Sequence, residues 1–141
     1  MDDDAANTLK KIGLKVTPQR QIILRLLDGN KNHPSADSIY SEALKEYPAI
    51  SFATVYNTLS KLANSGKIRE LDIDPGRKRF DSCTAPHSHF YCRACGNVFD
   101  VFCDIPLFDS MDDIKMVEEH QVDAIQLHFK GLCKNCAKAI A

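Results

Sequence analysis

Four cysteines in two CxxC pairs, Cys92 with Cys95 and Cys133 with Cys136, are the residues of this chain best placed to do chemistry, and the first pair follows closely on His87-Ser88-His89. Each pair sets two sulfurs on one turn. Two such turns can close a tetrahedral site of four thiolates at Zn–S distances of about 2.3 Å. The gap between the pairs is too long for a compact zinc ribbon, so the intervening chain must form strands and a helix of its own and return. Zinc would then staple a small α/β domain by its two ends. Two disulfides, or buried free thiols, are the alternatives. Zinc is favoured because the N-terminus, Met1-Asp2-Asp3-Asp4, is acidic and does not resemble a secretory signal, and paired CxxC motifs in an intracellular chain are usually metal sites.

At 141 residues the chain makes one domain or two small ones, and each half alone would have a thin core that a metal or a dimer interface would reinforce. No apolar run approaches membrane-spanning length, so a cytoplasmic protein with no membrane partner is expected. The net charge of −1 hides an asymmetry. Residues 1–80 carry 13 Lys and Arg against 10 Asp and Glu, a net +3, whereas residues 81–141 carry 5 against 9, a net −4. A basic front half and an acidic back half rich in Cys and His point to two jobs, although so small an imbalance also fits plain solvated surface.

The elements of the front half are legible from caps and periodicity. Thr17-Pro18-Gln19-Arg20 reads as a helix start, with Thr17 as N-cap, and Ile22, Ile23, Leu26 and Leu27 form the apolar face before Gly29-Asn30. A short helix through Thr8 and Leu9 to Ile12 precedes it. Ser35 caps a further helix whose buried side is Ile39, Tyr40, Ala43 and Leu44 and which Pro48 stops. Ser51 caps a fourth, in which Val55, Leu59 and Leu62 share one face while Thr54, Tyr56, Asn57 and Lys61 point elsewhere. Residues 67–73 and 78–81 then read as strands around the turn signal Asp72-Ile73-Asp74-Pro75-Gly76. Helix, turn, helix and hairpin is the order of a winged helix. On that reading the polar face of the fourth helix suits a DNA major groove, with Tyr56 against a thymine methyl and Thr54 or Asn57 bonding to bases, while Arg77, Lys78 and Arg79 suit phosphates. An ordinary amphipathic helix with a solvated face gives the same periodicity.

Taken in order, Gly13-Leu14-Lys15-Val16-Thr17-Pro18-Gln19-Arg20, His33-Pro34-Ser35-Ala36-Asp37, Ala53-Thr54-Val55-Tyr56-Asn57, Arg79-Phe80-Asp81, His87-Ser88-His89, Cys92-Arg93-Ala94-Cys95-Gly96 and Gly131-Leu132-Cys133-Lys134-Asn135-Cys136 resemble the ferric uptake regulator (Fur) superfamily of metal-dependent bacterial repressors. The match covers nearly the whole chain. It implies an α+β protein: an N-terminal winged-helix DNA-binding domain over residues 1–81, a hinge at 82–86, and a C-terminal α/β dimerisation and metal-binding domain over 87–141. It also implies that the four-cysteine zinc is structural and that a homodimer binds a palindromic double-stranded operator. In similar proteins a Tyr matching Tyr56 reads bases and a Lys matching Lys15 reaches the minor groove.

Five further residues fall on matching positions of a second, regulatory metal site: His33, Asp81, His87, His89 and Asp100. Three imidazoles and two carboxylates favour Fe(II) or Mn(II), as four thiolates favour zinc. His87 and His89 are an i, i+2 pair, so on a strand both rings leave one face and can grip one ion. Each histidine alone is more often an ordinary surface or core residue than a ligand. Asp at position 100, where iron-sensing members usually carry Glu, resembles the peroxide-regulator branch of the family, PerR. In the run Pro86-His87-Ser88-His89, Pro86 cannot ligate and Ser88 is a poor ligand, so an additional site found in many iron sensors is expected to be missing or incomplete. His120 is then read as a helix-end histidine and His128 as a solvent-facing strand histidine. The resemblance implies a sensor rather than an enzyme: five protein ligands leave a sixth position through which hydrogen peroxide reaches Fe(II), and oxidation of His33 or His87 releases the DNA.

Three rival readings remain. Iron, zinc or manganese homeostasis fits the same family. A thiol redox sensor or oxidoreductase would use the CxxC pairs with Cys83 and Cys103, although neither pair has a thioredoxin-like βαβ setting and both leftover cysteines also read as small apolar residues. A zinc hydrolase would use His87, His89 and an Asp, but no separate general base is legible and the winged helix would go unexplained.

Overall fold

The computed structural model describes residues 2–102, 114–123 and 125–140. The chain divides into two compact units, Met1–Ala85 and Pro86–Ala141. In the first, four helices precede a hairpin: α1 (Asp2–Lys11), α2 (Pro18–Leu27), α3 (Ala36–Glu46) and α4 (Phe52–Asn64), then β1 (Arg69–Leu71) and β2 (Arg79–Asp81). The expected caps form. Thr17 Oγ1 accepts from Arg20 N, Ser35 and Ser38 make a reciprocal capping box, and Ser51 Oγ accepts from Thr54 N at 3.1 Å. Each satisfies a backbone N–H that the first turn leaves without a partner. Gly66, at φ 74, takes the left-handed position that ends α4. The first helix is longer than its apolar pattern indicates, starting in the acidic run. Asp4, in its first turn, sits against the positive end of the helix dipole.

Val55, Leu59 and Leu62 of α4 are fully buried against Ile23 and Leu27 of α2 and Ile39 and Ala43 of α3. The hairpin is antiparallel, with Glu70 opposite Phe80, and Phe80 closes the floor of this core. Its strands are shorter than the sequence pattern suggests. Ile73 is buried, which supplies the periodicity, but Asp74 draws Gly76 N and the Arg79 side chain to its carboxylate and takes the chain off the ladder.

The second unit contains β3 (Ser88–Cys92), β4 (Val98–Val101), β5 (Met116–Val117), β6 (His120–Gln121), β7 (His128–Gly131) and α5 (Lys134–Ile140). Its main sheet has the order β4-β3-β7, with β3 antiparallel to β4 and parallel to β7. The pairing of β3 with β7 joins segments about forty residues apart and, being parallel, requires the crossover that the long gap between the CxxC pairs provides. The expected helix in that gap does not occur among the described residues, and Cys103 lies outside them. His120 is not at a helix end. It opens β6 in an exposed two-stranded hairpin.

Candidate metal centres and nucleic-acid interface

The sheet register builds the cysteine centre. Cys92 stands opposite Gly131 in the parallel pair, and Arg93 N donates to the Gly131 carbonyl at 2.8 Å, so both CxxC turns emerge at the same sheet end. The first turn is closed by Gly96 N on the Cys92 carbonyl at 2.8 Å, with Gly96 at φ 75, a conformation that a side chain would strain. The four sulfurs lie within 4.8 Å of one another, and Cys95 Sγ is 4.0 Å from Cys133 Sγ. That spacing matches the roughly 3.8 Å edge of a tetrahedron with Zn–S bonds of about 2.3 Å, and is twice the roughly 2.0 Å of a disulfide. Cys92 Sγ also accepts from Cys133 N at 3.3 Å and Cys95 N at 3.5 Å. Those donors, Cys133 N first, hold the Cys92 thiol down at about 6, while hydrogen bonding with Cys133 and then Cys92 pushes Cys136 up to about 12. Several sulfurs this close cannot all ionise without a cation among them. The donor set fits zinc.

The histidine and carboxylate candidates form two groups, each within its own unit. In the second unit His89 and Asp100 are direct cross-strand partners, and His87, two residues before His89, presents its ring on the same face. Asp100 Oδ1 lies 2.9 Å from His87 Nε2 and 3.5 Å from His89 Nε2, and the two rings are 4.4 Å apart. In the first unit Asp81 Oδ2 lies 3.5 Å from His33 Nε2, and Asp81 Oδ1 accepts from Cys83 N at 2.9 Å, which fixes the carboxylate orientation. His33 and Asp81 are both buried. His33 has φ 52 immediately before Pro34. A non-glycine residue in the left-handed region costs of order 1–2 kcal/mol, and a residue before proline prefers extended backbone, so the surrounding structure holds His33 in place. Each group is a borderline-to-hard donor set suited to Fe(II) or Mn(II).

On α4, Tyr56 is 46% exposed, Asn57 is exposed, and Lys15 is exposed in the loop before α2. Thr54 is half-buried, with its hydroxyl 2.9 Å from Ser51 Oγ in the cap. Of the three cations expected to face phosphates, Arg79 does not. Its Nε donates to Asp74 Oδ2 at 3.0 Å and its Nη1 to the His33 carbonyl at 3.1 Å, because Asp74 and the backbone outcompete solvent for a side chain only 16% exposed. Lys78 is exposed but pairs with Glu70 at 2.8 Å.

Three contributors escape a residue-by-residue reading. Phe52 stacks on Tyr56, with centroids 6.3 Å apart, and meets Tyr40 edge-on at 5.6 Å. Its i, i+4 spacing from Tyr56 was the available signal. Phe102 stacks on His87 at 5.4 Å. His128 is half-buried rather than solvent-facing, because the parallel register sets it beside His89, ring to ring at 6.0 Å. No spacing rule predicts a contact across two segments so far apart in sequence.

The sequence profile of the Ferric uptake regulator family matches residues 11–130. The chain belongs to that family. Among its relatives is the peroxide-responsive repressor PerR of Staphylococcus saprophyticus, 34% identical over 95% of this chain and 90% of that protein. Two solved members of the family share the fold. The Campylobacter jejuni peroxide stress regulator is 33% identical with a TM-score of 0.69, covering 92% of this chain and 97% of that one. The Vibrio cholerae ferric uptake regulator is 29% identical with a TM-score of 0.73, covering 91% and 98%. The expected α+β architecture, a winged helix followed by a sheet-based unit, is therefore that of the ferric uptake regulators. Among the described residues no helix is long and apolar enough to cross a membrane.

Proposed function

We propose that this chain is a metal-dependent transcriptional repressor that binds double-stranded operator DNA as a homodimer and lets go of it in response to hydrogen peroxide. The observation that carries the reading is Asp100 Oδ1 facing both His87 Nε2 and His89 Nε2, in a chain 34% identical to a peroxide-responsive repressor. His33 and Asp81 from the first unit complete the ligand set with His87, His89 and Asp100 from the second, and segment 82–86 acts as the hinge. These residues would hold Fe(II), which would supply the electron transfer that activates hydrogen peroxide, or Mn(II), which would occupy the same site without that chemistry. The four-cysteine zinc is structural.

Release follows from loss of a ligand. In the net reaction one oxygen atom of hydrogen peroxide is added to the ring of His33 or His87, the other leaves as water, and the ring is oxidised by two electrons. The ring nitrogens become amide-like and lose the basicity that makes imidazole a ligand. Ligands from two units bias the chain toward one arrangement only by their differential affinity for it, so a lost imidazole returns the equilibrium to the DNA-free side. Tyr56 and Asn57 read bases, Thr54 contributes from the cap, Lys15 reaches the minor groove, and Arg77 meets the phosphate backbone.

The test is binding to a duplex selected from a random pool by the manganese-loaded protein, measured with Fe(II), Mn(II) and Zn(II), with and without peroxide. Peroxide should abolish binding of the iron form alone, with one added oxygen on the His33 or His87 peptide by mass spectrometry. Unmodified histidine peptides in a released iron form would overturn the proposal. The second reading, a metal-homeostasis repressor, draws support from the likeness to the Vibrio cholerae regulator. It expects binding that follows metal supply and ignores peroxide.

A further inference from the structure

Consecutive residues of β2 tie the hairpin to the loop that carries His33. Phe80 N donates to the Pro34 carbonyl at 2.9 Å, and Arg79 Nη1 donates to the His33 carbonyl at 3.1 Å. The other edge of the guanidinium points into the wing turn. Its Nε donates to Asp74 Oδ2 at 3.0 Å, and Asp74 Oδ1 accepts from Gly76 N at 2.8 Å. The Arg79 and Asp74 side chains are 16% and 10% exposed, so water competes weakly for these bonds. Asp81, two residues beyond Arg79 on the same strand, faces His33. A guanidinium donates along two edges in fixed directions, whereas an ammonium is a single compact donor. Only an arginine can hold the carboxylate and the carbonyl together in this geometry.

We propose that Arg79 is the positioning residue of the His33–Asp81 pair: it locks the left-handed His33 backbone to the wing turn at 74–76, so that ligand geometry and wing placement are set together. The proposal rests on the reading of His33 and Asp81 as metal ligands. A metal at His33 then stiffens the wing, and a wing held against DNA favours the metal by the same factor, since coupling between two binding events is reciprocal.

The experiment compares Arg79→Lys, Asp74→Asn and the double variant with wild type in the zinc-containing protein. Hydrogen exchange of the Phe80 amide is read without added metal, and Mn(II) affinity is read by titration. Arg79→Lys should expose the Phe80 amide and weaken Mn(II) by about tenfold, the scale set by losing an outer partner of a ligand. Asp74→Asn, which touches neither ligand, should shift both readouts in the same direction by less. The double variant should be no worse than Arg79→Lys alone, because both changes break one tie. Zinc content and cooperative unfolding should be kept in all three. Wild-type Phe80 exchange and Mn(II) affinity in Arg79→Lys, or additive losses in the double variant, overturn the proposal. A wild-type protein that takes up no Mn(II) overturns the metal-ligand reading, and Phe80 exchange alone then decides whether Arg79 makes the tie.

Discussion

The two units reach a stable core by different means. In the first, Ile23, Leu27, Ile39, Val55, Leu59, Leu62 and Phe80 interlock among the three capped helices α2, α3 and α4 and the hairpin, and the ionisable candidates lie outside that cluster. In the second, among the described residues, Val98 is buried alongside Ser88, His89, Cys92 and Cys133, so candidate metal ligands are themselves a large share of what is buried there. The first unit can therefore fold from apolar contacts, whereas on the proposed function the cysteine centre reinforces the sheet unit. The contrast assigns different roles to the two ligand types: soft thiolates where removal would unfold a unit, imidazoles and carboxylates where removal would leave both units folded.

The hardest test of this contrast is Cys133→Ser. Structural zinc supplies about 10–16 kcal/mol of apparent binding energy in small zinc domains, as large as the whole stability of a typical domain. Zinc content should fall to zero and β3, β4 and β7 should lose amide protection, while α2, α3 and α4 stay protected in hydrogen exchange. Loss of protection in both units together would break the comparison. Asp100→Asn should do the opposite, keeping zinc and sheet protection while weakening Mn(II) by about a hundredfold, the upper end of the losses seen even for outer partners; isothermal titration checks it. Tyr56→Ala should leave both metals in place and cost about 1–3 kcal/mol on the selected duplex with little change on random DNA, measured by fluorescence anisotropy.

The smallest effect is a pH dependence. Burial raises the Asp74 carboxyl, but the Gly76 N–H and Arg79 outweigh it and hold the group below the usual carboxylate range. A lowered folded value means that its stabilising contribution is fully present above the ordinary carboxylate pKa and is lost as pH falls through the folded one. Asp74→Asn should remove about 1 kcal/mol of that acid-limb dependence, the scale of one hydrogen bond, in urea unfolding between pH 2 and 6.

Caps and helices were legible because their signals are local: Thr17, Ser35 and Ser51 each bond a backbone N–H three residues on. The CxxC pairs are legible for the same reason, and they set the frame in which Asp81, His87, His89 and Asp100 match the positions that the family resemblance implies. What brings these together is not local. The register that faces His89 with Asp100 on one side and His128 on the other is a property of strand pairing, and the phosphate reading of Arg79 misses that its guanidinium is shared between Asp74, five residues away, and the His33 carbonyl, 46 residues away. The left-handed backbone of His33 had no sequence marker, since Pro34 argues for the extended form.

The parallel pairing of Cys92 with Gly131 also orders events during synthesis. The first 85 residues contain every strand and helix their core needs and can fold as they leave the ribosome, since domains generally fold as units from the N-terminus. The central strand β3 must wait for β7, about forty residues further along the chain, before its second edge is covered. Until then that edge is open to pairing with another nascent chain. Zinc captured by Cys92 and Cys95 alone would be held by half a coordination shell, so completion of the metal centre would report that the second CxxC turn has been made and has met the first.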